Sequence, residues 1–254
     1  MWQWADGDFV PCEGVPLTDR GFRYGLGLFE TIRVRNGKPE FFQEHLRRLM
    51  LDSEAAGFAS LSWDSERLKA RIPIDFNGVL RIYRTAGDGS PVAGWAETEG
   101  RLLVTMESRS GDVESVRVVL NPEPVLPTGW KTLNYWQNLA AVRAAKANGA
   151  DEALLWTWNK EGKKRLVGAG MANLFWLKNG KIFTPAHSCG ARQGVVREWI
   201  LRHYSVQECE AVPEILETTD GLFLTSSWLG IKPVSHLGQH ALSYPKLPRC
   251  KEVG

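Results

Sequence analysis

Short apolar runs closed by turn residues dominate the first half of the chain, and one good helical period breaks into them. Residues 8–10 follow the turn pair Asp6-Gly7, and residues 28–34 read as a strand closed by the hairpin signal Asn36-Gly37. A helix is predicted from near Phe41, with Leu46, Leu49 and Met50 on one face. A second helix is predicted over 66–71, and Pro73 ends it. Residues 79–85, 101–107 and 116–120 then read as strands. The stretch 121–128 holds Pro122, Pro124 and Pro127, which marks it as a linker between a small domain at 1–120 and a large one at 129–254.

The second half opens on Lys131 and a helix predicted over 134–148, ended by Gly149. Strands are predicted at 152–158 and 172–177, and an Asn179-Gly180 turn leads into 181–184. Another helix starts near Gly194, and 222–226 is a further strand. After Leu242 the chain carries no clear signal. The layout is α+β, with antiparallel hairpins and few βαβ units. No GxGxxG joins a strand to a helix, so a doubly wound dinucleotide fold is not expected.

Composition narrows the class. The 254 residues are 43% hydrophobic and 24% charged, as in ordinary globular enzymes. A net charge of +2 gives no footprint for nucleic acid. No apolar run reaches the length of a membrane span, and the start Met-Trp-Gln-Trp-Ala-Asp lacks a signal-peptide pattern. Cys12, Cys189, Cys209 and Cys250 are scattered, with no CxxC pair, so free thiols in a reducing, cytoplasmic setting are expected and no metal site.

Six motifs carry chemistry. They are Asp19-Arg20-Gly21 with Gly25-Leu26-Gly27-Leu28-Phe29-Glu30-Thr31-Ile32-Arg33; Glu44-His45-Leu46-Arg47-Arg48-Leu49; Lys131-Thr132-Leu133-Asn134-Tyr135; Ala172-Asn173-Leu174-Phe175-Trp176; Gln193-Gly194-Val195-Val196-Arg197; and Thr225-Ser226-Ser227. In this order the chain resembles the class IV aminotransferases, the fold-type IV enzymes of pyridoxal 5'-phosphate (PLP). That family includes branched-chain and D-amino-acid aminotransferases and 4-amino-4-deoxychorismate lyase. The resemblance runs from Leu17 to about Val234. It implies a two-domain α+β fold with a β-barrel-like large domain, a homodimer, and a small amine or carboxylate substrate.

The resemblance also assigns roles. Lys131 would hold PLP as a Schiff base and shuttle protons. Arg48 matches the family's phosphate arginine, whose guanidinium can bond two oxygens at once. Val195 and Val196 would offer main-chain N–H groups at a helix start to the same phosphate, and Ser227 a hydroxyl. Tyr135 would bond the cofactor's phenolic oxygen. Phe29 and His45 fall where relatives shape the substrate side, and Arg33 and Arg84 are candidates for substrate carboxylates.

One position departs from the pattern. Relatives carry a glutamate five residues before the motif asparagine, where it pairs with the pyridinium nitrogen and strengthens the ring as an electron sink. Counting back from Asn173 reaches Gly168. The neighbouring Gly170-Met171 and Arg192-Gln193 also depart from the usual residues. Three explanations compete: another carboxylate such as Glu161 swings in, the ring works unprotonated, or the chain has lost PLP chemistry and serves as a binding or scaffold relative. The lyase reaction makes an aromatic product and leans less on the sink, so it leads, ahead of transamination of branched-chain or D-amino acids.

Overall fold

Burial alternates along the strands and locates the core. In β3 (Gly27–Arg35), Leu28, Glu30, Ile32 and Val34 are buried on one face, while Phe29, Thr31 and Arg33 are half-buried on the other. The computed structural model describes residues 1–92, 100–244 and 246–250. Its contacts divide the chain into two units, Met1–Gly111 with Trp130–Asn134, and Asp112–Gly129 with Tyr135–Gly254.

The first unit begins with β1 (Trp2–Ala5) and β2 (Asp8–Pro11), joined through Asp6 and Gly7 at positive φ. A short helix α1 (Arg20–Tyr24) follows, capped by the Asp19 carboxylate on the N–H groups of Gly21 and Phe22 and ended by Gly25 at φ 69°. Then come β3, β4 (Lys38–Pro39), α2 (Phe42–Ala55), α3 (Ser65–Lys69), β5 (Gly78–Thr85) and β6 (Arg101–Ser108). The strands form one antiparallel sheet in the order β2-β1-β6-β5-β3-β4. Helix α2 packs on β3 through Phe42, His45 and Leu49, and Leu28, Ile32, Leu80 and Ile82 meet it. The period is therefore as expected, but Met50 is 65% exposed; the apolar stripe passes through Leu46 and Leu49 and leaves Met50 outside it.

The second unit contains β7 (Val116–Leu120), α4 (Trp136–Ala147), β8 (Glu152–Trp158), β9 (Lys164–Ala169), β10 (Asn173–Lys178), β11 (Lys181–Pro185), α5 (Val195–His203), β12 (Val206–Cys209), β13 (Gly221–Ser226), β14 (Gly230–Leu237) and β15 (His240–Ala241). They form a nine-stranded sheet in the order β12-β11-β10-β13-β14-β7-β8-β9, with β15 on β14. Val118, Leu154, Leu166, Leu174, Leu224 and Val234 converge from six of these strands on one apolar cluster. The Leu166 N–H also bonds the Ala211 carbonyl just past β12 at 2.8 Å, so the sheet curls round this cluster and its far edges approach. That is the barrel-like core the resemblance implied.

The division differs from boundaries at 1–120 and 129–254. β7 lies between β14 and β8, parallel to both, and so belongs to the second unit. The Pro-rich stretch 121–128 is no free linker either, because the Asn121 and Val125 N–H groups bond the carbonyls of Leu154 and Trp156. Residues 130–134 return to the first unit and lie along β3.

Gly78 sits in a central strand, where a Cβ would stand 2.2 Å from the Glu107 carbonyl oxygen. Backbone cannot yield as a side chain can, so Gly78→Ala is expected to cost about 1–3 kcal/mol. Urea denaturation at pH 7 measures this, and an unchanged midpoint would refute the close approach.

Candidate active site

The Lys131 segment docks in the first unit because β3 begins with glycine. The Phe29 N–H bonds the Lys131 carbonyl and the Leu133 N–H bonds the Gly27 carbonyl, both at 2.9 Å. A Cβ on Gly27 would meet Leu133 Cδ1 at 2.5 Å and the Arg84 carbonyl oxygen at 2.8 Å, so glycine at this position makes room both for the Leu133 side chain and for β5. Lys131 and Phe29 thereby share the sheet face opposite α2, and Lys131 Nζ lies 3.7 Å from the centre of the Phe29 ring. Phe29 in turn stacks on Tyr83.

Under α2 the same strand buries a charge. Glu30 is 1% exposed and accepts from Arg48 Nε at 2.8 Å and Arg48 Nη2 at 2.5 Å, with His45 Nδ1 at 2.6 Å. Burial alone would raise the Glu30 pKa, but Arg48 and His45 overcome it and hold the carboxyl well below the usual range. Burial lowers the pKa of His45, and the cations Arg48 and Lys131 push the same way against the pull of Glu30. A neutral His45 with its proton on Nδ1 satisfies the contact. Arg48 is thus aimed by Glu30, and His45 is packed on the helix side of β3.

Arg33 lies on the Phe29 face of β3, near Glu40, whose pKa it lowers after the stronger effects of burial and Arg35. Arg84 does not suit the carboxylate-binding role. It is 3% exposed on the core face, where its guanidinium donates to the main-chain carbonyls of Ala59 and Thr85.

In the second unit, Asn173 Nδ2 donates to the Arg192 carbonyl at 2.7 Å, and a Cβ on Gly194 would stand 2.0 Å from Asn173 Oδ1. The motif asparagine and the motif glycine are therefore one packing device. Gly194 caps α5 without a side chain, so the N–H groups of Val195 and Val196 open the helix with no intrahelical partner. Thr225 pairs with Asn173 across the strands, and its buried hydroxyl has no hydrogen-bond partner among the described residues. These donors fit a phosphate. Ser227 follows at the end of β13 and is half-buried.

Tyr135 Oη donates to the Gly170 carbonyl at 3.0 Å, Asn138 Nδ2 reaches the same oxygen at 2.7 Å, and Arg192 Nη1 donates to Tyr135 Oη at 3.2 Å. Tyr135 thus has partners in this unit besides any role on a cofactor.

Gly168 has φ 154°, which L side chains rarely adopt, and a Cβ there would meet only the Ala172 carbonyl. Glu161 does not replace the missing carboxylate. It sits in the β8–β9 turn, 67% exposed and paired with Lys163, while Gly168 lies four strand residues past Lys164, about 13 Å away. The nearest buried carboxyl along the chain's own turn is Glu152, which accepts from the N–H groups of Ala153 at 2.8 Å and Met171 at 2.9 Å. Burial raises its pKa to about 7 against those hydrogen bonds. Taken unit by unit, the first holds a lysine and an arginine of the kinds PLP takes, the second holds helix-start donors suited to a phosphate, and Gly168 offers a ring nitrogen no acid.

Sequence reasoning missed Glu30, Glu152, Asn138 and Thr225 as site residues. Glu30 had a signal: it shares a strand face with Leu28, Ile32 and Val34, and a carboxylate at a core position demands a partner.

Two outcomes follow from the buried acids. Glu30→Gln is expected to cost about 3–5 kcal/mol at pH 7 by leaving Arg48 without its charge partner. Because the Glu30 pKa is depressed on folding, its contribution exists above the unfolded value and is lost on acidification. The deficit must therefore narrow between pH 7 and pH 3 in urea titrations, and a constant deficit would exclude the ion pair as its source. Glu152 has the opposite sign: its raised pKa destabilises the fold as pH climbs from 4.5 to about 7. Glu152→Gln cannot titrate, so its stability relative to the parent should rise over that window, by at most about 3 kcal/mol.

The comparisons agree with this frame. The family model described as amino-transferase class IV matches residues 27–237. An aminodeoxychorismate lyase of Vibrio harveyi is 28% identical over 95% of this chain and 94% of its own. A probable branched-chain-amino-acid aminotransferase of Aquifex aeolicus is 29% identical over 90% of this chain and 82% of its own. The crystal structure of 4-amino-4-deoxychorismate lyase from Pseudomonas aeruginosa superposes with a TM-score of 0.81 at 26% identity, covering 96% of this chain and 94% of that one. With its six motifs in order on two sheets of this topology, the chain belongs to the class IV aminotransferases, a family of PLP-dependent enzymes.

Proposed function

We propose that this enzyme is a PLP-dependent lyase converting 4-amino-4-deoxychorismate to 4-aminobenzoate and pyruvate. The observation that carries the reading is Gly168: its φ of 154° suits glycine, and neither Glu161 nor Glu152 stands in for a carboxylate there. When bound, PLP would take the substrate's amine and draw electrons from the carbon next to it. Without an acid at Gly168 that pull is weaker, and a reaction that ends in an aromatic ring supplies driving force of its own. The lyases among the relatives support the same choice.

The chain's residues take the remaining work. Lys131 Nζ would hold the cofactor and, as a free amine, would carry a proton from the substrate carbon to the departing three-carbon fragment. Phe29 keeps the lysine beside an apolar face. Arg48, aimed by Glu30, supplies phosphate charge, and the Val195 and Val196 N–H groups with Ser227 supply neutral donors. Arg33 is the remaining candidate on β3 for a substrate carboxylate. The working form is proposed to be a cytoplasmic homodimer.

Transamination of branched-chain or D-amino acids is the second reading, favoured by relatives with those names. Adding PLP to the purified protein is expected to give a visible band that borohydride fixes onto Lys131 by peptide mapping. Lys131→Ala should lose that attachment and at least about a thousandfold in 4-aminobenzoate formation. Efficient transamination with no 4-aminobenzoate would sink the lyase reading, and PLP that stays free in solution would sink both.

A further inference from the structure

A guanidinium shielded from water loses hydration and has to be matched by protein groups or by an anion. Two arrangements match the sheltered arginines: Arg48 has Glu30, Arg101 has Asp19 and Asp88, Arg165 has Glu210 and Arg197 has Glu208, whereas Arg20 and Arg84 donate to main-chain carbonyls. Arg192 is different. It is half-buried, its Nε is buried without a hydrogen-bond partner, and among the described residues no carboxylate pairs with it. Its one side-chain hydrogen bond goes from Nη1 to the neutral Tyr135 hydroxyl, with the guanidinium carbon 5.3 Å from the centre of that ring.

Its backbone is held in place. The Arg192 carbonyl accepts from Asn173 Nδ2 at 2.7 Å and from the Gly194 N–H at 2.9 Å. This fixes the residue two positions before the cap of α5, next in the chain to the open N–H groups of Val195 and Val196. Tyr135 is held as well, since its proton is directed to the Gly170 carbonyl and its lone pair receives Arg192. A fork with donors to spare is thus presented on a rigid mount.

We propose that Arg192 is an oxyanion-binding residue of the second unit, taking a carboxylate of the substrate or the phosphate of the cofactor. The choice between these two ligands rests on the PLP-enzyme reading above; the observation of an incompletely matched guanidinium does not. A planar fork matches either group with paired hydrogen bonds. Apolar residues at the same position would leave the phosphate to main-chain donors and would not select for negative charge.

The test is calorimetric titration of the parent, Arg192→Leu and Arg192→Lys with PLP, and of the PLP-saturated proteins with isophthalate, an aromatic dicarboxylate, and with neutral benzamide. Arg192→Gln replaces the leucine variant if that protein does not fold. If the anion is the substrate's, Arg192→Leu weakens isophthalate about tenfold or more and leaves PLP and benzamide unchanged. If it is the cofactor's phosphate, PLP weakens by that factor instead. In either case Arg192→Lys, which keeps the charge but not the fork, recovers part of the loss. The proposal is overturned if the parent binds neither anion, or if a folded Leu or Gln variant changes neither affinity by more than about twofold, the range of an uncharged contact. A parent that binds no PLP removes the enzyme reading, and the isophthalate titration, run on unloaded protein, then decides the role of Arg192 by itself.

Discussion

A carboxylate buried beneath a helix has to be matched, and Glu30 places that requirement at the centre of the first unit. Its two oxygens take the Arg48 fork and the His45 ring, both from α2. Sliding α2 by one turn along β3 would strand the charge, so the ion cluster fixes a register that apolar contacts alone leave loose. The cost of burying Glu30 is met only when Arg48 points one way, so the same bonds that stabilise the unit also fix the arginine's direction.

Glycines play the matching part where another segment packs directly on the main chain. Gly27 admits the Lys131 segment against β3, and Gly194 admits the Asn173 side chain against the start of α5. At Gly170 a Cβ would collide with Val142 Cγ2 at 2.5 Å and Glu152 Oε1 at 2.7 Å, so the turn that follows Gly168 is built around the Glu152 carboxyl. Each glycine gives up side-chain contacts to bring a functional group to a defined place. The motif spacing in the sequence is the trace of these close approaches.

Much of this was legible beforehand because strands and helices announce themselves by period. The predicted strands at 28–34, 79–85, 101–107 and 152–158 are present within a residue or so, and both Asn-Gly turns have the positive φ their residues favour. Elements without a period escaped. β14 carries Lys232, Pro233 and Ser235, and β9 ends in Gly168 and Ala169, so neither reads as a strand. Helix α1 spans five residues and is too short for any apolar repeat. The prolines at 122, 124 and 127 do stop regular structure, but proline content does not tell a free linker from a segment hydrogen-bonded along β8. The motifs that hold Lys131 and the start of α5 were readable as motifs, and the structure places the first along β3 and the second at a helix start. Arg84 misled because charge is visible in a sequence, whereas an arginine turned onto buried carbonyls is not.

The charge around the Gly168 strand bears on which chemistry the chain suits. The strand's continuation gives its Gly170 carbonyl to Tyr135 and Asn138 and its Met171 N–H to Glu152, so the acid nearest along this turn is engaged by main chain. Besides Glu152, the network is joined through Tyr135 by Arg192, a cation. A site arranged this way favours a ligand that brings negative charge over one that needs an acid from the protein. A ring nitrogen awaiting protonation is the second kind of ligand, and a substrate with more than one carboxylate is the first. On the lyase reading, the lost glutamate and the gained arginine then belong together: the weaker electron sink is tolerated because the product is aromatic, and the cation suits a substrate richer in carboxylates than a simple amino acid.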